Sequence, residues 1–350
     1  MYTKTIKKAN NLLLDSTCRS RSLKIHSFSD GFFISALAKY AVDFADEPLR
    51  QYVVNSLQDH KNSRRILRSI MGLNCSAAAA KLGDKAFCEL VYKGDELLRS
   101  ALSLAPKEYK RTFATRLAML KPTFVHIEEL VALTDYLVVR QNALSDVDKL
   151  RTALLSRIDA YESILRSESG LYYASYNTGR KEALPKGALP IYPTAYLLFA
   201  YTGIKKLYSD QPQTVSEINE RISTLIVDLH RLLNTNGYVR CSDKSDKNDS
   251  TATDLWIYGV LSSPDAITEY MTENAENCYE TVVEDLQLKN ELLSLPFTVE
   301  VPGILSFLPI SITSRLYTSN DMTTALGAFA LASLTYRRKY GNKVDIEFAE

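Results

Sequence analysis

The chain has 350 residues, of which 46% are apolar and 24% charged, and its formal net charge is +1. That supplies a deep core but no charge excess to draw nucleic acid or a membrane surface. No run approaches the roughly 18 apolar residues of a membrane span, and five scattered cysteines without a C-x-x-C pair read as reduced thiols of a cytoplasmic protein.

In chain order, "MYTKTIKKANNLLLDS" is basic but lacks the apolar centre of a signal peptide. "SFSDGFFISALAKYAVDF" (27–44) is apolar on nearly every side and predicts a buried helix, with Asp30 in its first turn. Residues 45–165 read as helical without a clear repeat. Within them "KNSRRILRS" (61–69) is a solvated face, and "DKAFCELVYKGDELLRSALSLA" (84–105) spaces its apolar residues three and four apart. His26, His60, His126 and His230 are dispersed and none sits beside a cysteine, so no His/Cys metal site is expected, while an all-carboxylate site stays open. No Walker loop, G-x-G-x-x-G or G-x-S-x-G is present, so no cofactor is expected either.

A weak repeat begins near residue 165 and is clearest over 165–340. An amphipathic helix ends in a glycine-containing turn at Gly170, Gly237 and Gly303, spaced by 67 and 66 residues. A second, almost wholly apolar helix then opens at "IYPTAYLLFAYTG", "NDSTATDLWIYGVLS" and "NDMTTALGAFALAS". Strand-like alternation is brief, mainly at 297–313. Paired helices of this kind predict an all-α protein of stacked helical hairpins, read as a single domain over 1–350. The second helices are too apolar to line an open solenoid, and the glycine-to-threonine loops are unequal at 24, 14 and 20 residues. Both features favour a closed α/α barrel, in which 27–44 supplies a further inner helix. The helices opening at Thr194, Thr251 and Thr323 should then run parallel in the inner layer.

The repeated Asn-Asp-x-Thr phrase has two readings. As helix caps, Asp30, Asp249 and Asp321 would satisfy free N–H groups of a first turn. In a barrel, however, all inner helices start at one mouth, and carboxylates there converge on one cavity. Asp249, Asp321 and Asp254 are then candidate catalytic groups, a desolvated acid near like charge being a proton donor. Candidate ligand contacts at that mouth are Asp30, Tyr176, Tyr192, Trp256 and Tyr258, with Arg180, Lys186 and Arg240 as anion-holding cations.

"KNDSTA" (247–252) resembles the D-x-D-D-T-A motif of class II terpene cyclases, of the prenyltransferase and squalene-cyclase superfamily; "YPTAYLLFAY" and "SNDMTTALGAFAL" resemble that superfamily's repeat. The resemblance implies an α/α toroid, with the proton-donating aspartate of the motif falling on Asp249 and its flanking carboxylate positions on Lys247 and Ser250. It implies a lyase or isomerase acting on an isoprenoid-like small molecule with an apolar body and an anionic head. Two alternatives stand beside it: a non-catalytic helical binding or scaffold protein, and a glycan-processing barrel using a carboxylate pair such as Asp249 and Asp321.

Overall fold

The computed structural model describes residues 2–18, 20–63, 70–103, 124–177, 181–288 and 321–347. Among the described residues there are twelve α-helices: α1 (Tyr2–Cys18), α2 (Phe28–Asp43), α3 (Glu47–His60), α4 (Ile70–Leu82), α5 (Cys88–Ser103), α6 (Glu128–Arg140), α7 (Val147–Leu165), α8 (Tyr192–Leu207), α9 (Pro212–His230), α10 (Ser250–Ser262), α11 (Glu269–Leu288) and α12 (Asp321–Glu347).

The even-numbered helices form the inner layer. α2 packs on α4, α4 on α6, α6 on α8, α8 on α10, α10 on α12, and α12 returns to α2, so the ring closes. The odd-numbered helices lie outside it, α5 against α4 and α9 against α8, for example. This α/α toroid follows from where apolar residues fall. In α8 fourteen of sixteen residues are buried, so only a position walled on all sides suits it, whereas α9 buries a single stripe of Ile218, Ile222, Leu225, Ile226 and Leu229. Burying apolar surface at about 25 cal/mol per Å² drives both layers together.

Close approach at the ring's seams requires glycine. A Cβ on Gly203 would sit 2.3 Å from Thr134 Cγ2, one on Gly259 2.5 Å from Leu198 Cδ2, and one on Gly327 2.8 Å from Phe32 and 3.1 Å from the Phe33 backbone. Gly327 lies on the seam between α12 and α2, where backbone cannot yield. Gly327→Ala is therefore expected to lose about 1–3 kcal/mol through overpacking, read as a lower denaturation midpoint in urea. An unchanged midpoint would mean that the seam is looser than described.

The 67-residue spacing is a structural repeat. After α7, Ser167 N–H donates to Leu171 O (2.8 Å), Tyr173 N–H to Leu165 O (2.8 Å) and Gly170 N–H to Ser167 O (3.1 Å). After α9 the same three bonds recur, Asn234 to Tyr238 (2.8 Å), Arg240 to Leu232 (3.1 Å) and Gly237 to Asn234 (3.1 Å). Gly170 and Gly237 take φ of +86° and +78°, a region that side chains disfavour, which is why glycine marks both turns. Gly303 and residues 297–313 lie outside the described residues.

Each turn then hands the chain to an inner helix. Thr194 Oγ1 accepts from Tyr172 N–H (3.3 Å), and Thr253 Oγ1 from Val239 N–H (2.9 Å). Thr323 Oγ1 donates to Asp30 Oδ1 (3.2 Å), joining the starts of α12 and α2. The helices opening at Thr194, Thr251 and Thr323 thus begin at the same end of the ring and run parallel within it.

Candidate functional site at the inner-helix mouth

The loops feeding the inner helices build the mouth. β1 (Phe124–His126), β2 (Ser175–Asn177) and β3 (Glu182–Leu184) form an antiparallel sheet in that order, with Tyr176 opposite Val125 and Ala183. β4 (Arg240–Ser242) and β5 (Ser245–Asn248) form a hairpin that ends directly at Asp249. The loop before α8 is tied to this hairpin, Leu189 N–H donating to Asp243 Oδ1 (2.7 Å) and Ile191 N–H to Cys241 O (3.3 Å).

Three inner-helix starts that are neighbours in the ring carry acids. Asp30 is the third residue of a capping box, with Oδ2 accepting from His26 N–H (2.8 Å) and Ser27 N–H (2.9 Å), and Ser27 Oγ accepting from Asp30 N–H (3.2 Å). Asp249 is fully buried at the N-cap of α10, where Oδ1 accepts from Ala252 N–H (2.9 Å). Asp321 is the first residue of α12, between those two helices in the ring, and its side chain lies outside the described residues.

Asp254, one turn into α10, is completely buried, and among the described residues neither of its oxygens has a hydrogen-bond partner. Burial first, and then the nearby charge of Asp249, hold its carboxyl well above the usual carboxylate range. It lies within electrostatic reach of Tyr238 and of Tyr279 on outer helix α11. Between the ordinary carboxylate range and the raised value, the unfolded chain has lost this proton while the native chain keeps it. Stability therefore falls as pH rises through that window. Asp254→Asn removes the slope: its melting temperature should match the parent at about pH 4 and exceed it at about pH 8, measured by scanning calorimetry. Identical pH profiles would show that Asp254 carries no such cost.

The remaining candidates separate. Tyr192 and Tyr196 are buried on α8, rings 5.4 Å apart, and Tyr196 meets Phe28 (5.8 Å) and Phe32 (6.4 Å) of α2 across the lumen. With Phe199 against Phe32 (5.9 Å), these rings fill the middle of the barrel. Tyr176 is half-buried on β2, and Arg240 half-buried at the start of β4. Lys186 is exposed and pairs with Glu182 at 2.7 Å. Arg180 lies outside the described residues. Trp256 points away from the lumen, its Nε1–H donating to Ile226 O of outer helix α9 (3.2 Å). Tyr258 is near the far end of α10, its hydroxyl accepting from Lys206 Nζ (3.2 Å). The structure thus gathers Asp30, Asp249 and the Asp321 position at one mouth, and keeps Trp256 and Tyr258 from it.

Sequence reasoning missed a polar cluster deeper in the lumen. Lys81 Nζ donates to both oxygens of Asp135 (2.8 Å each), to Ser35 Oγ (2.9 Å) and to Ser35 O (3.1 Å), and Ser35 Oγ donates to Asp135 Oδ2 (2.6 Å). Desolvation lowers the Lys81 pKa, and Asp135 offsets part of that. The signal was present: each is the one charge within an apolar run of its inner helix, "CSAAAAKL" and "LVALTDYLVV". No group of three or more His, Cys, Asp or Glu side chains converges as a metal site among the described residues.

A closed α/α toroid with acids at its inner-helix mouth is the class that fold and site define. No family model and no curated protein matches the sequence. Solved structures do match the fold. A family 105 glycoside hydrolase of C. acetobutylicum aligns with a TM-score of 0.74 at 14% identity, over 95% of this chain and 99% of that one. An unsaturated glucuronyl hydrolase specific for heparin aligns at 0.72 and 13%, over 97% and 98%. An unsaturated glucuronyl hydrolase of Bacillus sp. GL1, responsible for the degradation of glycosaminoglycan, aligns at 0.70 and 12%, over 97% of each chain.

These neighbours correct the terpene-cyclase resemblance and, with it, the isoprenoid-like ligand. They are glycan-processing toroids rather than cyclases. The physical reason lies in the phrase itself. "NDSTA" places a cap at Asp249 and starts an inner helix, a need common to α/α toroids, so the phrase reports on fold and not on chemistry.

Proposed function

We propose that the chain is a glycan-processing α/α-toroid enzyme, working on uronate-containing oligosaccharides at the mouth where the inner helices begin. The observation that carries this reading is the alignment along nearly the whole of both chains with two unsaturated glucuronyl hydrolases. The mouth supplies suitable groups. Cleaving a glycosidic bond takes a proton donor and a carboxylate that activates water or attacks. Asp249 and Asp321 open ring-neighbour inner helices and are assigned these roles. The half-buried Arg240, on the hairpin leading into Asp249, is assigned to the uronate carboxylate, which a guanidinium holds in bidentate geometry. A cytoplasmic location goes with this reading, supported by the four cysteines described (Cys75, Cys88, Cys241 and Cys278), which are free thiols.

Titration calorimetry tests the substrate class. A uronate-terminated disaccharide should bind saturably, and its neutral glucose counterpart at least about tenfold more weakly. Equal binding of the two would remove the uronate from the proposal. One observation favours a second reading, a non-catalytic binding protein: Asp30 and Asp249 both serve as helix caps. That reading gains weight if uronates bind but are never cleaved.

A further inference from the structure

Away from the inner-helix mouth the barrel holds a recess. It has a volume of about 70 Å³ and is lined by residues from the middle and the C-terminal parts of all six inner helices. Four cations line it: Lys39, Lys81, Lys206 and Arg338. Among the described residues, two carboxylates answer them. Asp135 takes the buried Lys81, and Asp43 takes both Lys39 (2.7 Å) and Arg338. Lys206 instead donates to the Tyr258 hydroxyl and lies over that ring, 5.6 Å from its centroid. The inner wall is apolar, formed by Phe199, Leu331 and Leu334.

One bland account is that cations near helix C-termini simply complement the helix dipoles. It covers Lys81 and Lys206, which sit in the last turns of α4 and α8. It does not cover Lys39 and Arg338, which lie before the last turns of α2 and α12, nor an apolar-backed recess with more cation than anion around it among the described residues.

The geometry points to a binding site for a small organic carboxylate: its anionic head between Lys206 and Arg338, its apolar body on Phe199, Leu331 and Leu334. The Lys81–Asp135 pair forms the floor and stays intact. The site lies across the aromatic filling of Phe32, Phe199 and Tyr196 from the inner-helix mouth, so it is separate from the proposed glycan site and stands without it.

Benzoate is the probe, with benzyl alcohol as its neutral counterpart, titrated calorimetrically at constant ionic strength. Benzoate should bind saturably and benzyl alcohol should not. Lys206→Gln and Arg338→Gln, both at exposed positions, should each weaken benzoate about tenfold or more, the worth of one charge-assisted hydrogen bond. Lys93→Gln, a change at a half-buried position on outer helix α5 remote from the recess lining, should leave the affinity unaltered. Circular dichroism confirms that each variant is folded. Failure of benzoate to saturate, equal binding of benzyl alcohol, or parental affinity in both Lys206→Gln and Arg338→Gln would each overturn the site.

Discussion

Asp249→Asn is expected to lose about a hundredfold or more of glycan-cleaving turnover while melting close to the parent temperature. The two effects separate because asparagine caps a helix nearly as well as aspartate, so the Ala252 N–H keeps an acceptor. General acid or base action by a positioned carboxyl contributes roughly 10²–10⁴ in rate, and the amide supplies none of it. Measuring turnover and melting temperature on one preparation is essential. A folded variant with parental turnover would reduce Asp249 to a cap, and a variant that is inactive because it is unfolded would be recognised by its melt.

The largest stability effect is expected at the lumen ion pair. Asp135→Ala leaves Lys81 buried without its counter-charge, which costs about 3–5 kcal/mol for a broken buried pair. The side chains are only 6% and 13% exposed, so solvent screening is slight. The paired change Lys81→Met with Asp135→Leu should regain most of the loss, because removing both charges also removes their desolvation. Denaturant midpoints of the single and paired variants check this. A single variant as stable as the parent would mean that water reaches Lys81 and replaces its partner.

The fold was legible where its signals are local. Glycine turns at Gly170 and Gly237 recur because the same backbone hydrogen bonds recur, and glycine alone fits their positive φ comfortably. The inner helices α2, α8, α10 and α12 could be read because a nearly all-apolar helix has only one kind of position open to it. The hairpins in 45–165 were not legible as a repeat. Inner helix α4 is built on alanine, "CSAAAAKL", and offers little contrast between faces. The site was legible only in part. Caps are readable because they sit at fixed offsets from an apolar run, which located Asp30 and Asp249. Which way a buried side chain turns depends on partners distant in sequence. Trp256 faces the α9 carbonyl of Ile226, 30 residues away, and Asp135 is held by Lys81, 54 residues away. The terpene-cyclase resemblance erred for a related reason: a helix-start phrase carries information about the fold in which it sits, not about the reaction performed there.

Steady-state turnover of an unsaturated glucuronyl disaccharide tests the central proposal most directly. Hydrolysis frees a reducing sugar and an unsaturated uronate hemiacetal, whose ring opens to an enol that tautomerises to the ketone, so the conjugated ultraviolet absorbance is lost. The account predicts both signals in the parent protein, in equal amounts and abolished together in Asp249→Asn. Folded parent protein that releases no reducing sugar from any uronate-terminated disaccharide, saturated or unsaturated, would contradict it.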